Sequence, residues 1–190
     1  MFTASNLRVS ATLVPSVKGM RVIAHSNTDA MVIYGHDLGT PLDHWWVKNG
    51  PRISGTSYPT GVATSKAELR VAVEADTTRH IVVVERFDDK GGGPKALFSA
   101  TGYSQPTIAT DGTNVWLVMV RRSDGAIVSR QANDNGEFTK TDRIELAGSV
   151  APGMFYPNVV RQTDGRLRFV VSVPGAGPTQ TALLAFQRTL

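Results

Sequence analysis

Four proline-anchored segments recur along the chain: Pro15-Ser16-Val17, Pro59-Thr60-Gly61-Val62, Pro106-Thr107-Ile108-Ala109 and Pro157-Asn158-Val159-Val160. They stand at intervals of 44, 47 and 51 residues (15 to 59, 59 to 106, 106 to 157). Self-similarity at such a period means one supersecondary unit used repeatedly, each copy burying its apolar face on a neighbour.

The content of each unit identifies it. A second segment follows each proline: Met20–His25, Leu69–Glu74, Val115–Val120 and Leu167–Ser172. These runs are rich in Val and Ile, too short for helices and bounded by turn residues, which makes them strands. Three of them place an arginine at one aligned position (Arg21, Arg70, Arg168), and Trp116 takes that position in the third unit. A third strand follows a short turn: Met31–Tyr34, Ile81–Val84, Ile127–Arg130 and Leu183–Phe186. A fourth closes the first three units, at His44–Val47, Lys95–Phe98 and Phe138–Ile144. Four strands every roughly 40–50 residues are the signature of a propeller blade. The expectation is therefore an all-β chain folding as one β-propeller of four blades, each of about four antiparallel strands. The blade-like repeats would be 15–58, 59–105, 106–156 and 157–190, with residues 1–14 added to the last. In that scheme Leu7–Leu13 pairs with Leu183–Arg188 and closes the ring, which removes exposed strand edges. Two other assemblies use the same repeats: a homo-oligomer in which two chains build an eight-bladed ring, and a part of a larger propeller.

The loops between third and fourth strands carry a resemblance. Asn133-Asp134-Asn135-Gly136-Glu137-Phe138 resembles a degenerate Asp-box, the S-x-D-x-G-x-x-W hairpin of sialidase-like propellers, with Ala132 in place of the leading Ser and the aromatic one place early. The resemblance implies that Asp134 accepts backbone N–H bonds, Gly136 supplies a positive φ and Phe138 packs below the next strand. Asp-boxes are structural in those families, so no catalytic role comes with it. Asp124-Gly125-Ala126-Ile127-Val128-Ser129-Arg130 is similar to segments of lectin-type propellers.

Composition narrows the function. No cysteine is present, which excludes disulfides, thiolate metal sites and a Cys nucleophile. The net charge of +4 is spread along the chain, without the clustered patch that marks specific nucleic-acid binding. The N-terminal stretch lacks the pattern of a signal peptide, and no apolar run approaches the ~20 residues that span a bilayer. A soluble protein without membrane insertion is expected; its compartment is unknown from the sequence, which is compatible with an extracellular or virion-associated place. The four histidines lack ligand spacing, so no metal and no cofactor is expected. No catalytic set converges either. Glu74 and Glu85, both on strands of the second unit, are the one carboxylate pair that invites the enzymatic alternative, a sialidase-like, glycan-cleaving site with Arg52 as its cation.

Recognition is the better-supported reading. Trp45 and Trp46 place adjacent indoles on opposite sides of a strand, one for the core and one for a ligand. Arg52, Tyr58 and Tyr156 complete the candidate binding residues. The residues after the four prolines, Ser16, Thr60, Thr107 and Asn158, are all polar and would line a central channel. The expected role is a non-catalytic module that engages protein or glycan through its loops, or a structural part of a larger assembly such as a phage virion or tail.

Overall fold

A computed structural model describes residues 7–26, 30–52, 59–66, 68–87, 94–133, 135–148, 158–162, 164, 166–174 and 181–188. These residues form fifteen strands and no helix. They build four antiparallel sheets arranged as a four-bladed β-propeller. The first blade contains β1 (Leu7–Ser16), β2 (Gly19–Ser26), β3 (Ala30–Asp37) and β4 (Trp46–Arg52). The second contains β5 (Thr60–Ala63), β6 (Leu69–Asp76), β7 (Ile81–Phe87) and β8 (Lys95–Thr101). The third contains β9 (Tyr103–Thr110), β10 (Val115–Arg121), β11 (Ile127–Ala132) and β12 (Arg143–Leu146), and the fourth β13 (Asn158–Arg161), β14 (Leu167–Pro174) and β15 (Thr181–Arg188). The first strands of successive blades touch, β1 on β5, β5 on β9 and β9 on β13, which sets them at the centre.

The N-terminal strand corrects the expected closure. Residues 7–13 belong to β1, which pairs along its length with β2. β15 pairs with β14 in a sheet of three described strands. Register also corrects the first repeat. Arg21 faces Val14 across the ladder, Arg70 faces Val62, Trp116 faces Ala109 and Arg168 faces Val160. Two residues along, Thr12, Thr60, Thr107 and Asn158 occupy one equivalent position. Thr12 rather than Ser16 is therefore the counterpart of Thr60. Pro15 is a chance match, near the hairpin end where Ser16 faces Gly19.

Each of the first three blades buries one face on the next. Val14, Ile23, Met31 and Ile33 of the first pack against Leu69, Val71, Val73 and Phe87 of the second. Ala72, Val82 and Val84 meet Ile108, Leu117 and Met119 of the third. Trp116, Val118 and Ile127 meet Val159, Leu167 and Phe169 of the fourth. The aligned position reports this directly. Arg21, Arg70 and Trp116 are 1%, 3% and 2% exposed, whereas Arg168 is exposed, as is Val160 across from it. On the first blade, the face turned away from the second presents the row Leu13–Val22–Tyr34–Val47, whose end members are also exposed. Among the described residues, no apolar cluster joins the fourth blade to the first.

Candidate functional site

The loop from β3 to β4 builds the cavity that best suits a ligand. It holds about 300 Å³ and is lined by Asp37, Thr40, Asp43, His44, Trp45 and Trp46. β4 begins at Trp46, so Trp45 lies in the loop before it and the two indoles are not neighbours on one strand as expected. Both are half-buried. Trp46 lies across Gly35 in the ladder, where a Cβ would fall 2.0 Å from its Cζ2, so only glycine leaves room for this ring. The Arg21 guanidinium sits 4.8 Å from the ring centroid, a cation–π contact. Arg21 also donates to the Met20 and His36 carbonyls, both at 3.0 Å, and pairs with Asp37 Oδ1 at 2.8 Å. Trp46 Nε1 donates to Asp37 Oδ2 at 3.3 Å. A buried arginine thus fixes both a carboxylate and an indole at the cavity wall.

Trp45 is held separately. Its Nε1 donates to the Leu42 carbonyl at 3.0 Å, and its ring meets His36 at 5.3 Å between centroids. His36 Nε2 is anchored at 3.0 Å from the Pro41 carbonyl. The wall therefore offers flat apolar area beside Asp37, Asp43 and the Thr40 hydroxyl. Carboxylates accept strong hydrogen bonds from ligand hydroxyls, and fixed aromatic faces take apolar ring surfaces.

The other predicted residues stand apart. Arg52 pairs with Ala30 at the far end of β4, six residues or about 20 Å from Trp46. Tyr58 and Tyr156 lie outside the described residues. Thr60 and Thr107 lie on central strands; Thr107 is buried, Thr60 half-buried, and Asn158 at the equivalent position is exposed. Thr12 Oγ1 donates to the Pro59 carbonyl at 2.7 Å, and Thr60 Oγ1 to the Pro106 carbonyl at 3.5 Å. At least these two hydroxyls stitch one blade to the next. Ser16 Oγ accepts from the Lys18 amide at 3.3 Å in the hairpin turn.

The carboxylate pair separates. Glu74 faces Val82 and Glu85 faces Val71 in the same ladder, which puts the two side chains on opposite sides of the blade. Glu74 is buried: Oε1 lies 3.1 Å from His80 Nδ1, and Oε2 accepts the Gln105 amide at 3.2 Å. His80 and Gln105 both have positive φ, 55° and 52°, which side-chain-bearing residues rarely adopt. Glu74 therefore braces an unusual turn at His80 and the irregular stretch of β9 at Gln105. Burial pushes the Glu85 carboxyl above the usual carboxylate range. The described residues contain no group of His, Asp and Glu able to hold a metal ion.

In the loop between β11 and β12, Asn133 does the capping: its Oδ1 accepts the amides of Asn135 and Glu137 at 3.0 and 2.9 Å. Asp134 lies outside the described residues. Gly136 has the expected positive φ of 86°, and Phe138 packs on Phe98 with centroids 5.6 Å apart.

No family model matches the chain, and no curated protein matches it. Solved structures do. GH43B of a Bacteroides ovatus xyloglucan PUL superposes with a TM-score of 0.61 at 13% identity, over 97% of this chain and 39% of that one. A mutant Aleuria aurantia lectin in complex with alpha-methyl-L-fucoside gives 0.59 at 11%, over 94% and 58%. The exo-beta-1,3-galactanase of Phanerochaete chrysosporium, with galactose, gives 0.61 at 12%, over 92% and 46%. The chain thus spans roughly two-fifths to three-fifths of these neighbours. At such identities the likeness is one of fold.

Proposed function

We propose that this chain is a non-catalytic glycan-binding module and that its ligand enters the cavity beside Trp45 and Trp46. The observation that carries this reading is the wall itself: two indoles held by Arg21, Leu42 and His36, next to two carboxylates and a hydroxyl. Convergent polar groups around an apolar face are what small-ligand sites offer. Sugars are amphipathic in the same sense, with hydroxyl edges for Asp37 and Asp43 and C–H faces for an indole. The named neighbours, a fucoside-bound lectin, a GH43B of a xyloglucan PUL and an exo-beta-1,3-galactanase, support a carbohydrate ligand. The opposed placement of Glu74 and Glu85 removes the carboxylate pair on which the enzymatic alternative rested, because hydrolysis needs two carboxyls around one bond, within ~10 Å of each other.

A glycan array probed with the parent chain and with Trp45→Ala tests the reading. Binding to a defined set of glycans that the variant loses supports it. No glycan bound, or equal binding by both proteins, refutes it. Release of reducing ends from the bound glycans would favour the enzymatic alternative instead.

A further inference from the structure

A second cavity, of about 90 Å³, opens between the second and third blades and is lined by Thr64, Ser65, Lys66, Arg70, Gly112 and Thr113. It lies where the β5–β6 turn meets the β9–β10 turn. The Ser65 amide and hydroxyl both donate to the Gly112 carbonyl at 2.8 Å and fix the two turns together. Its distinctive member is Arg70. The side chain is 97% buried, and Nε and Nη1 are buried without any hydrogen-bond partner. Arg21, at the equivalent position in the first blade, is satisfied by two carbonyls and Asp37. Among the described residues Arg70 has only Glu68, whose Oε2 is 3.4 Å from Nη2. Glu68 is itself shared with Arg86 at 3.3 Å. Arg70 and Arg86 thus share one carboxylate, while the Asp111 carboxylate of the facing turn is taken up by the Thr113 and Asn114 amides and the Asn114 side chain. A buried guanidinium is costly unless its N–H groups are met.

We infer that this cavity is an oxyanion site, which takes the carboxylate or sulfate half-ester of an acidic glycan. Guanidinium N–H groups fit planar carboxylates and tetrahedral sulfates alike. The volume is well above the ~10–15 Å³ that one water requires, so a compact oxyanion fits. Thr64, whose Oγ1 accepts the Glu68 amide at 3.3 Å, keeps its own O–H proton for the ligand. In an antiparallel blade, the turn joining the first two strands opens on the same side as the loop joining the last two. The oxyanion site therefore shares a face of the propeller with Trp45. The acidic-glycan part of the inference rests on the glycan-binding reading above; the oxyanion site does not.

Inorganic sulfate, titrated into the parent chain and followed by amide NMR shifts at Ser65, Gly112 and Thr113, tests the site alone. Saturable shifts are expected, weakening with ionic strength. Lys66→Ala, an exposed position that leaves the fold intact, should weaken binding by about tenfold or more, in line with a charge-assisted contact. Arg70→Lys keeps one charge and removes the fork, and should weaken it further. No saturable shift with either sulfate or acetate overturns the site. The glycan arm compares a sulfated, a uronate-containing and a neutral oligosaccharide of one backbone. Preference for an acidic form, lost in Lys66→Ala, identifies which oxyanion is taken. Sulfate binding with no such preference refutes the acidic-glycan part only, and sulfate binding retained by Trp45→Ala shows that the two sites are independent.

Discussion

Truncating one register position in two different blades should cost very different amounts. Val14 and Val160 occupy equivalent places, each opposite the aligned arginine of its blade. Val14 is 2% exposed and lies in the cluster between the first two blades, whereas Val160 is 56% exposed. Val→Ala removes two methyl groups, worth ~0.8 kcal/mol each when fully buried. The void left behind adds to this, so Val14→Ala should cost about 2–3 kcal/mol. Val160 has already left more than half its surface in water, and Val160→Ala should cost less than about 0.5 kcal/mol. Urea unfolding of both variants and the parent, followed by tryptophan fluorescence, measures the difference. Equal losses would refute the reasoning, because they would mean that the Val160 face of the fourth blade is covered in solution as the Val14 face of the first blade is by the second.

Gly35→Ala places a methyl group inside the Trp46 ring, so it should destabilise the fold by about 1–3 kcal/mol and abolish glycan binding; near-UV circular dichroism and a melting curve check both effects. Glu85 has a folded-state pKa above its unfolded value, so its ionised form opposes folding at neutral pH, and the penalty disappears as pH falls below the unfolded value of about 4. Glu85→Gln should therefore raise the melting temperature at pH 7 and lose that advantage below about pH 4. Thr12→Val removes the 2.7 Å bond to the Pro59 carbonyl and should cost about 0.5–1.5 kcal/mol in the same urea assay, with no effect on glycan binding.

The blade pattern was legible because strand content and turn chemistry are local. Val-rich runs between Asp-Gly and Asn-rich turns mark strands whatever they pair with. Register was less legible, because it depends on partners. A proline on a first strand looks the same at any height, so Pro15 passed for the counterpart of Pro59, and the residues before it passed for a separate closing strand. The aligned arginines were a better ruler, since Arg21 and Arg70 are buried at an interface that recurs between blades. The Trp45–Trp46 pair pointed to the cavity, although the strand starts at Trp46, two residues later than the expected His44. Asp37 and Asp43 came into view only with the loop's path. Arg70 looked like any repeat residue, and its unmet N–H groups could be seen only once its neighbours were placed.

Glycan binding at the aromatic cavity is the central claim. Calorimetric titration of the strongest glycan from the array into the parent chain and Trp45→Ala tests it most directly. Saturable one-site binding is expected, weakened at least about tenfold in the variant, a loss of ~1.4 kcal/mol or more, with the melting temperature unchanged. Identical affinity in the two proteins would contradict it.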